Sequence, residues 1–261
     1  MSNVNIIKGN DLCSDEIKFH LNKLSEKTDT LVLAEGDSWF HLLNSPRDPA
    51  TPANLLDFID LPWKSTIFNY ASFGSTLKDL VACAPKVLGS GETLSKNSMQ
   101  FDLIMLSVGG NDIAGNVAQA IKAPDKNQYA MSDCLVQDGC NKLLDAVEEE
   151  LLSVVRMRDS SRSNSTTPIV VHTYDYLTPR NQPHFMARRR GPWIWRDMKN
   201  IGIEDPGVQM EIINHLVDGW AERLMNIERD YKNFFVIDTR GTLIPADYDE
   251  TVVDQDWHDE I

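Results

Sequence analysis

The run Leu31-Val-Leu-Ala-Glu-Gly-Asp-Ser-Trp-Phe40 constrains the chain more than any other stretch, because an apolar segment stops abruptly at Gly36-Asp37-Ser38. Residues 30–34 suit a buried strand. Gly36 frees the backbone to turn sharply, and Asp37 or Ser38 can cap a helix that follows. A hydroxyl so placed stands at the carboxyl edge of a sheet. Open α/β sheets bind ligands at that edge, and a helix N-terminus beside it favours developing negative charge. Two readings stay open on this tripeptide: Ser38 carries chemistry, or Asp37 and Ser38 only cap a helix.

Two later strand ends repeat the pattern. Asn69-Tyr-Ala-Ser-Phe-Gly-Ser75 follows the apolar Ile67-Phe68, and Ser107-Val-Gly-Gly-Asn-Asp112 follows Phe101-Asp-Leu-Ile-Met-Leu106. Gly74 has a bland role, a turn needing positive φ, and a functional one, an amide approached closely by substrate. Asn111 offers a side-chain N–H donor at the same edge as Ser38, and Asp112 is expected to cap the next helix.

In this order, Gly36-Asp37-Ser38, Gly74 and Gly109-Gly110-Asn111-Asp112 resemble the first three motif blocks of the SGNH (GDSL-type) hydrolases. The resemblance implies that Ser38 is a nucleophile. It also implies an oxyanion hole made by the Ser38 amide, the Gly74 amide and the Asn111 side chain, and a late Asp-x-x-His that supplies acid and base. Asp259-Glu260-Ile261 matches the first three positions of that last block. The resemblance therefore assigns Asp259 as the orienting acid and expects the catalytic histidine after Ile261, in a chain shortened at its C-terminus. His258 is the fallback base, out of register with the family pattern.

The remaining sequence supports an α/β reading. Apolar strands are expected at 30–34, 65–69, 101–107, 168–174 and 234–238. Helices are expected at 14–27, briefly from Ser38, at 55–61, from 76, at 141–158 and at 206–229. This alternation argues for one domain, a three-layer α/β/α sandwich on a mostly parallel five-stranded sheet. The resemblance implies flavodoxin-like strand order. Residues 114–140 read as a weakly periodic insertion. Residues 175–199, with Arg188, Arg189, Arg190, Trp193 and Trp195, read either as a ligand-gripping loop or as a solvated flap. Trp39, Phe40 and His41 beside the serine favour plain core over an acyl pocket, and His172 favours a satisfied strand residue over a base.

The chain has 261 residues and a net charge of −14, which disfavours a phosphate backbone as partner. No apolar run reaches membrane-spanning length and the first residues lack a signal-peptide pattern, so a cytoplasmic protein is expected. Cys13, Cys83, Cys134 and Cys140 contain no Cys-x-x-Cys and are expected to be reduced, although Cys134 and Cys140 are close enough in sequence to pair. The six histidines show no metal-ligand spacing, and neither a metal nor another cofactor is expected. The leading functional expectation is a serine esterase acting on a small-molecule carboxylic ester. An acyltransferase using the same site, and a catalytically inactive domain that binds an acylated or carbohydrate ligand, are the alternatives.

Overall fold

Strands that are apolar on both faces need cover on both faces, and a parallel sheet between helices provides it. The computed structural model describes residues 4–8, 29–41, 54–88, 100–179, 181 and 193–242. Its sheet has six strands, β1 (Val4–Lys8), β2 (Thr30–Gly36), β3 (Ser65–Asn69), β4 (Leu103–Ser107), β5 (Ile169–His172) and β6 (Phe234–Ile237). They lie in the order β1-β3-β2-β4-β5-β6, and every pair is parallel.

The five strands read from sequence are all present. Without β1 their order is second, first, third, fourth, fifth, which is the flavodoxin-like arrangement. The expectation of five strands is corrected to six. β1 pairs with β3 from Val4 against Ser65 to Lys8 against Asn69, and it forms the edge. Its five residues carry no periodic signal of their own, and only the exposed side of β3 makes them a strand.

The chain divides into two compact units. The first comprises Met1–Asn111, Glu149–His172 and Ile227–Ile237 and contains the whole sheet. Val32, Ile67, Phe68, Ile104, Leu106, Ile169, Val171 and Phe234 fill its core. Arg158 is fully buried there and donates to the carbonyls of Thr167 (2.6 Å), Asn233 (2.9 Å) and Lys232 (3.0 Å), tying the chain just before β5 to the chain before β6.

The second unit comprises Asp112–Glu148, Thr173–Asn226 and Asp238–Ile261. Most of the helix Pro206–Asp230, expected at 206–229, belongs to it, with the first turns of Gln137–Ser160. The stretch 114–140 is more ordered than its sequence suggests. It holds a short helix, Met131–Cys134, and an antiparallel bridge between Ile121 and Leu135. Cys134 and Cys140 are buried free thiols, so they do not pair. Cys83 is disulfide-bonded, which corrects the expectation of reduced cysteines throughout. The helix expected at 14–27 and the triple arginine 188–190 lie outside the described residues. Among those described, no helix is long and apolar enough to cross a membrane, and no group of His, Cys, Asp and Glu could hold a metal.

Within the second unit the residues just after β5 and just after β6 are bound together. The Thr173 hydroxyl donates to Asp238 (3.1 Å), and Asp175 accepts from the Gly241 amide (2.7 Å) and the Thr242 hydroxyl (3.1 Å). Arg240 spans Asp238 and Asp218, both at 2.8 Å. Hydrogen bonding from Arg240 outweighs burial and holds the Asp238 carboxyl at about 2 instead of 3.8. A carboxyl depressed in the folded state stabilises fully above its ordinary value and loses that contribution as the pH falls toward its folded value. Asp238→Asn should therefore be less stable than the parent at neutral pH, with the difference closing between about pH 4 and pH 2. Denaturant titrations across that window test it, and a difference independent of pH would refute the ion-pair role.

At the end of β2 the chain runs close against β4. Gly36 stands opposite Ser107, with φ +140°, and a Cβ there would lie 2.1 Å from the Ser107 carbonyl oxygen. No backbone atom can yield that distance without moving the strand. Gly36→Ala should cost ~3 kcal/mol or more, from overpacking and backbone strain together. A chemical-denaturation midpoint equal to the parent's would contradict the close approach.

Candidate active site

Past Gly36 the chain turns under β4 and starts a helix at once. The Asp37 amide donates to the Ser107 carbonyl (3.1 Å), and the Phe40 and His41 amides donate to the Asp37 carbonyl. The Asp37 carboxylate accepts from the Trp39 amide (3.1 Å). This is N-cap geometry, so Asp37 is the cap and Ser38 the first residue of the four-residue helix Ser38–His41. Of the two residues offered as caps, Asp37 is the one that caps. Ser38 is relieved of capping, and neither its hydroxyl nor its amide N–H has a hydrogen-bond partner among the described residues.

The floor beneath Ser38 is polar and closed. Asp37 is 2% exposed, Ser107 0% and His172 8%. The Ser107 hydroxyl donates to Asp37 Oδ1 (2.6 Å), and His172 Nε2 lies 2.9 Å from the same hydroxyl oxygen. The imidazole packs against Trp39 (ring centroids 6.1 Å apart, 71° between planes) and Phe40 (5.8 Å, 47°). Phe40 belongs to a core cluster with Val32, Ala34, Leu56, Ile67 and Ala71, and Trp39 packs against it. These two aromatics are core, as read from sequence, and His172 is a hydrogen-bonded residue at a strand end.

The loop after β3 is laced to the same edge. Asn69 donates to the Phe40 carbonyl (2.7 Å) and accepts from the Ala71 amide (3.0 Å). The Ser72 amide donates to the Gly36 carbonyl (2.9 Å), and the Ser75 amide to the Ser72 carbonyl (3.1 Å). Gly74 sits on this turn with φ +73° and open space where a Cβ would lie, so backbone conformation, not crowding by the protein, calls for glycine. Its N–H has no acceptor among the described residues. Thr76 and Asp79 exchange hydrogen bonds and cap the helix Leu77–Leu88. His41 Nδ1 donates to the Ala71 carbonyl (2.7 Å).

The third loop arrives from β4. A helix begins at Gly110, so Asp112 is a buried first-turn residue and not the cap expected of it. Asn111 Nδ2 donates one hydrogen to the Ser75 carbonyl (2.9 Å). The other has no acceptor among the described residues. Ser38 and Asn111, each in the first turn of a helix, and Gly74, on a turn, thus stand on segments connected through Gly36, Ser72 and Ser75, past the carboxyl ends of three adjacent strands. His258 and Asp259 lie outside the described residues. Sequence reading missed Ser107 and Asn69, which resemble ordinary strand ends until Ser107 is set opposite Gly36.

No family model matches this chain, and no curated protein matches it by sequence. Solved structures do. A lipase from a goat rumen metagenome, Lip_vut3, aligns with a TM-score of 0.51 at 13% identity over 87% of this chain and 89% of its own. An extracellular lipase of Streptomyces rimosus aligns at 0.43 and 18%, over 82% and 81%. The acetylxylan esterase Axe2 of Geobacillus stearothermophilus aligns at 0.42 and 14%, over 86% and 80%. With the parallel sheet and its strand order, the likeness to the rumen lipase gives this chain the three-layer α/β/α fold of the SGNH (GDSL-type) hydrolases.

Proposed function

We propose that the chain is a serine esterase, or a related acyl hydrolase, that cleaves carboxylic esters through an acyl-enzyme on Ser38. The observation that carries this reading is the set of donors left without acceptors: the Ser38 N–H, the Gly74 N–H and one Asn111 amide hydrogen. Ser38 is buried and Gly74 and Asn111 are half-buried, and three donors without protein acceptors at neighbouring strand ends fit a site prepared for an oxyanion. Each is held by a backbone or side-chain bond beside it, and none needs to reorganise as charge develops.

In the proposed reaction the Ser38 oxygen bonds to the ester carbonyl carbon and its proton passes to an imidazole. The carbonyl oxygen takes up negative charge against the three donors. Collapse breaks the bond to the alcohol, which leaves with the proton, and water then releases the acid by the same steps in reverse order. The imidazole is assigned to the histidine of the Asp-x-x-His block that begins at Asp259, with Asp259 orienting it and His258 only as the fallback base. A rumen lipase of similar fold is consistent with ester chemistry.

Ser38→Ala should abolish ester hydrolysis and covalent labelling by a fluorophosphonate while leaving the thermal midpoint near the parent's. Intact-mass spectrometry reads the adduct, and labelling that survives the substitution would refute the assignment. Asn111→Ala should lower kcat by roughly 10² to 10³, the usual loss for one oxyanion donor. Because Asn111 also binds Ser75, a variant with normal kcat and a lower thermal midpoint would mean that it only shapes the loop.

A further inference from the structure

We infer that Ser107 and His172 are positioning residues for the nucleophile, acting on Ser38 through the Asp37 cap. The inference rests on the serine reading above. Asp37 immediately precedes Ser38, and its carboxylate fixes the start of the helix by accepting from the Trp39 amide. That carboxylate is held in turn by the Ser107 hydroxyl at 2.6 Å. A hydroxyl has one hydrogen and rotates freely unless something fixes it. Here the hydrogen is committed to Asp37, because a carboxylate only accepts. His172 Nε2, 2.9 Å from the same oxygen, must therefore be the donor in the second link.

The tautomer that follows has a consequence for function. An Nε2 that carries its proton and gives it to Ser107 is not an acceptor for the Ser38 proton. His172 is thus separated from the role of base by its own hydrogen bond, and its effect on Ser38 is geometric. By filling the lone-pair side of Ser107, the imidazole leaves the hydroxyl one orientation, toward Asp37. Its ring is also wedged against Trp39 and Phe40, the two residues after the nucleophile. The chain of contacts reaches Ser38 from both sides, through the cap before it and the aromatics after it. Three strands contribute, with Asp37 following β2, Ser107 ending β4 and His172 ending β5.

Positioning differs from mere support in what it changes. Misplacing a nucleophile slows the bond-forming step without weakening ligand capture, and a small displacement can cost about 10² in rate. The test is fluorophosphonate labelling of the full chain at several probe concentrations, which yields a limiting rate and a half-saturating concentration. Ser107→Ala and His172→Phe should lower the limiting rate by about tenfold to a hundredfold and move the half-saturating concentration less than about twofold. His172→Gln, whose amide can donate where Nε2 does, should restore a rate close to the parent's. Equal limiting rates in the parent, Ser107→Ala and His172→Phe would overturn the inference, whatever happens to the thermal midpoint. Equal slowing in His172→Phe and His172→Gln would overturn it as well, because the donor would then be irrelevant. Two variants on different strands keep the test open if one fails to fold. Failure of the underlying reading has a separate signature, since a parent that takes no label, or a Ser38→Ala protein that still does, removes the serine nucleophile itself.

Discussion

The meeting of β2 and β4 at Gly36 and Ser107 is the contact on which the rest of the site depends. Because the strands are parallel and in this register, the Ser107 carbonyl receives the Asp37 amide and the Ser107 side chain lies under the Asp37 carboxylate. A slip of one residue would send the Ser107 side chain to the other face of the sheet and leave both groups buried without each other. Gly36 enforces the register from the opposite side, since any larger residue collides with the β4 backbone. Sheet pairing therefore decides where the helix starts, and the helix start decides where Ser38 stands.

That dependence explains which parts of the molecule can be read from sequence. Five strands are visible as short apolar runs bounded by turn residues, and their ends at residues 36, 69, 107, 172 and 237 fall close to where the runs stop. Strand order is not encoded in spacing, and it became an expectation only through the motif resemblance. β1 was missed because its burial comes from β3, some sixty positions away in the chain. The helix beginning at Gly110 was placed too late because a Gly-Gly-Asn-Asp sequence looks like a turn, and its first turn is stabilised by the bond from Asn111 to Ser75.

The candidate site divides along the same line. Ser38, Gly74 and Asn111 are legible as residue types at strand ends, and the structure puts them on two helix starts and a turn joined by hydrogen bonds. The partition of roles between Asp37 and Ser38 is not legible, since either could cap the helix. It takes the bond from the Trp39 amide to Asp37 to settle it. Ser107 and His172 are invisible for a simpler reason. Their partners lie 70 and 65 residues away, and nothing local in sequence marks a serine or a histidine at a strand end as part of a buried chain.

A folded protein gains by pairing every buried donor, while a site for an oxyanion must hold some donors back. Under the proposed function, the local architecture reduces this conflict. The Ser38 amide is the first N–H of a helix, a donor with no intrahelical acceptor in any protein, so leaving it open costs little beyond what the helix start already costs. Gly74 lies half-buried at a turn with open space where a Cβ would stand, and its amide is not drawn into a protein hydrogen bond among the described residues. Asn111 resolves the conflict by division, because one amide hydrogen anchors the side chain to Ser75 and the other stays available. The demanding part is the rigidity behind these groups, which comes from Asp37, Ser107, His172 and Asn69, all buried and hydrogen-bonded. Open donors in front and a closed polar floor behind are two halves of one requirement, since a donor that is free to move would recover its hydrogen bond elsewhere and be lost to the transition state.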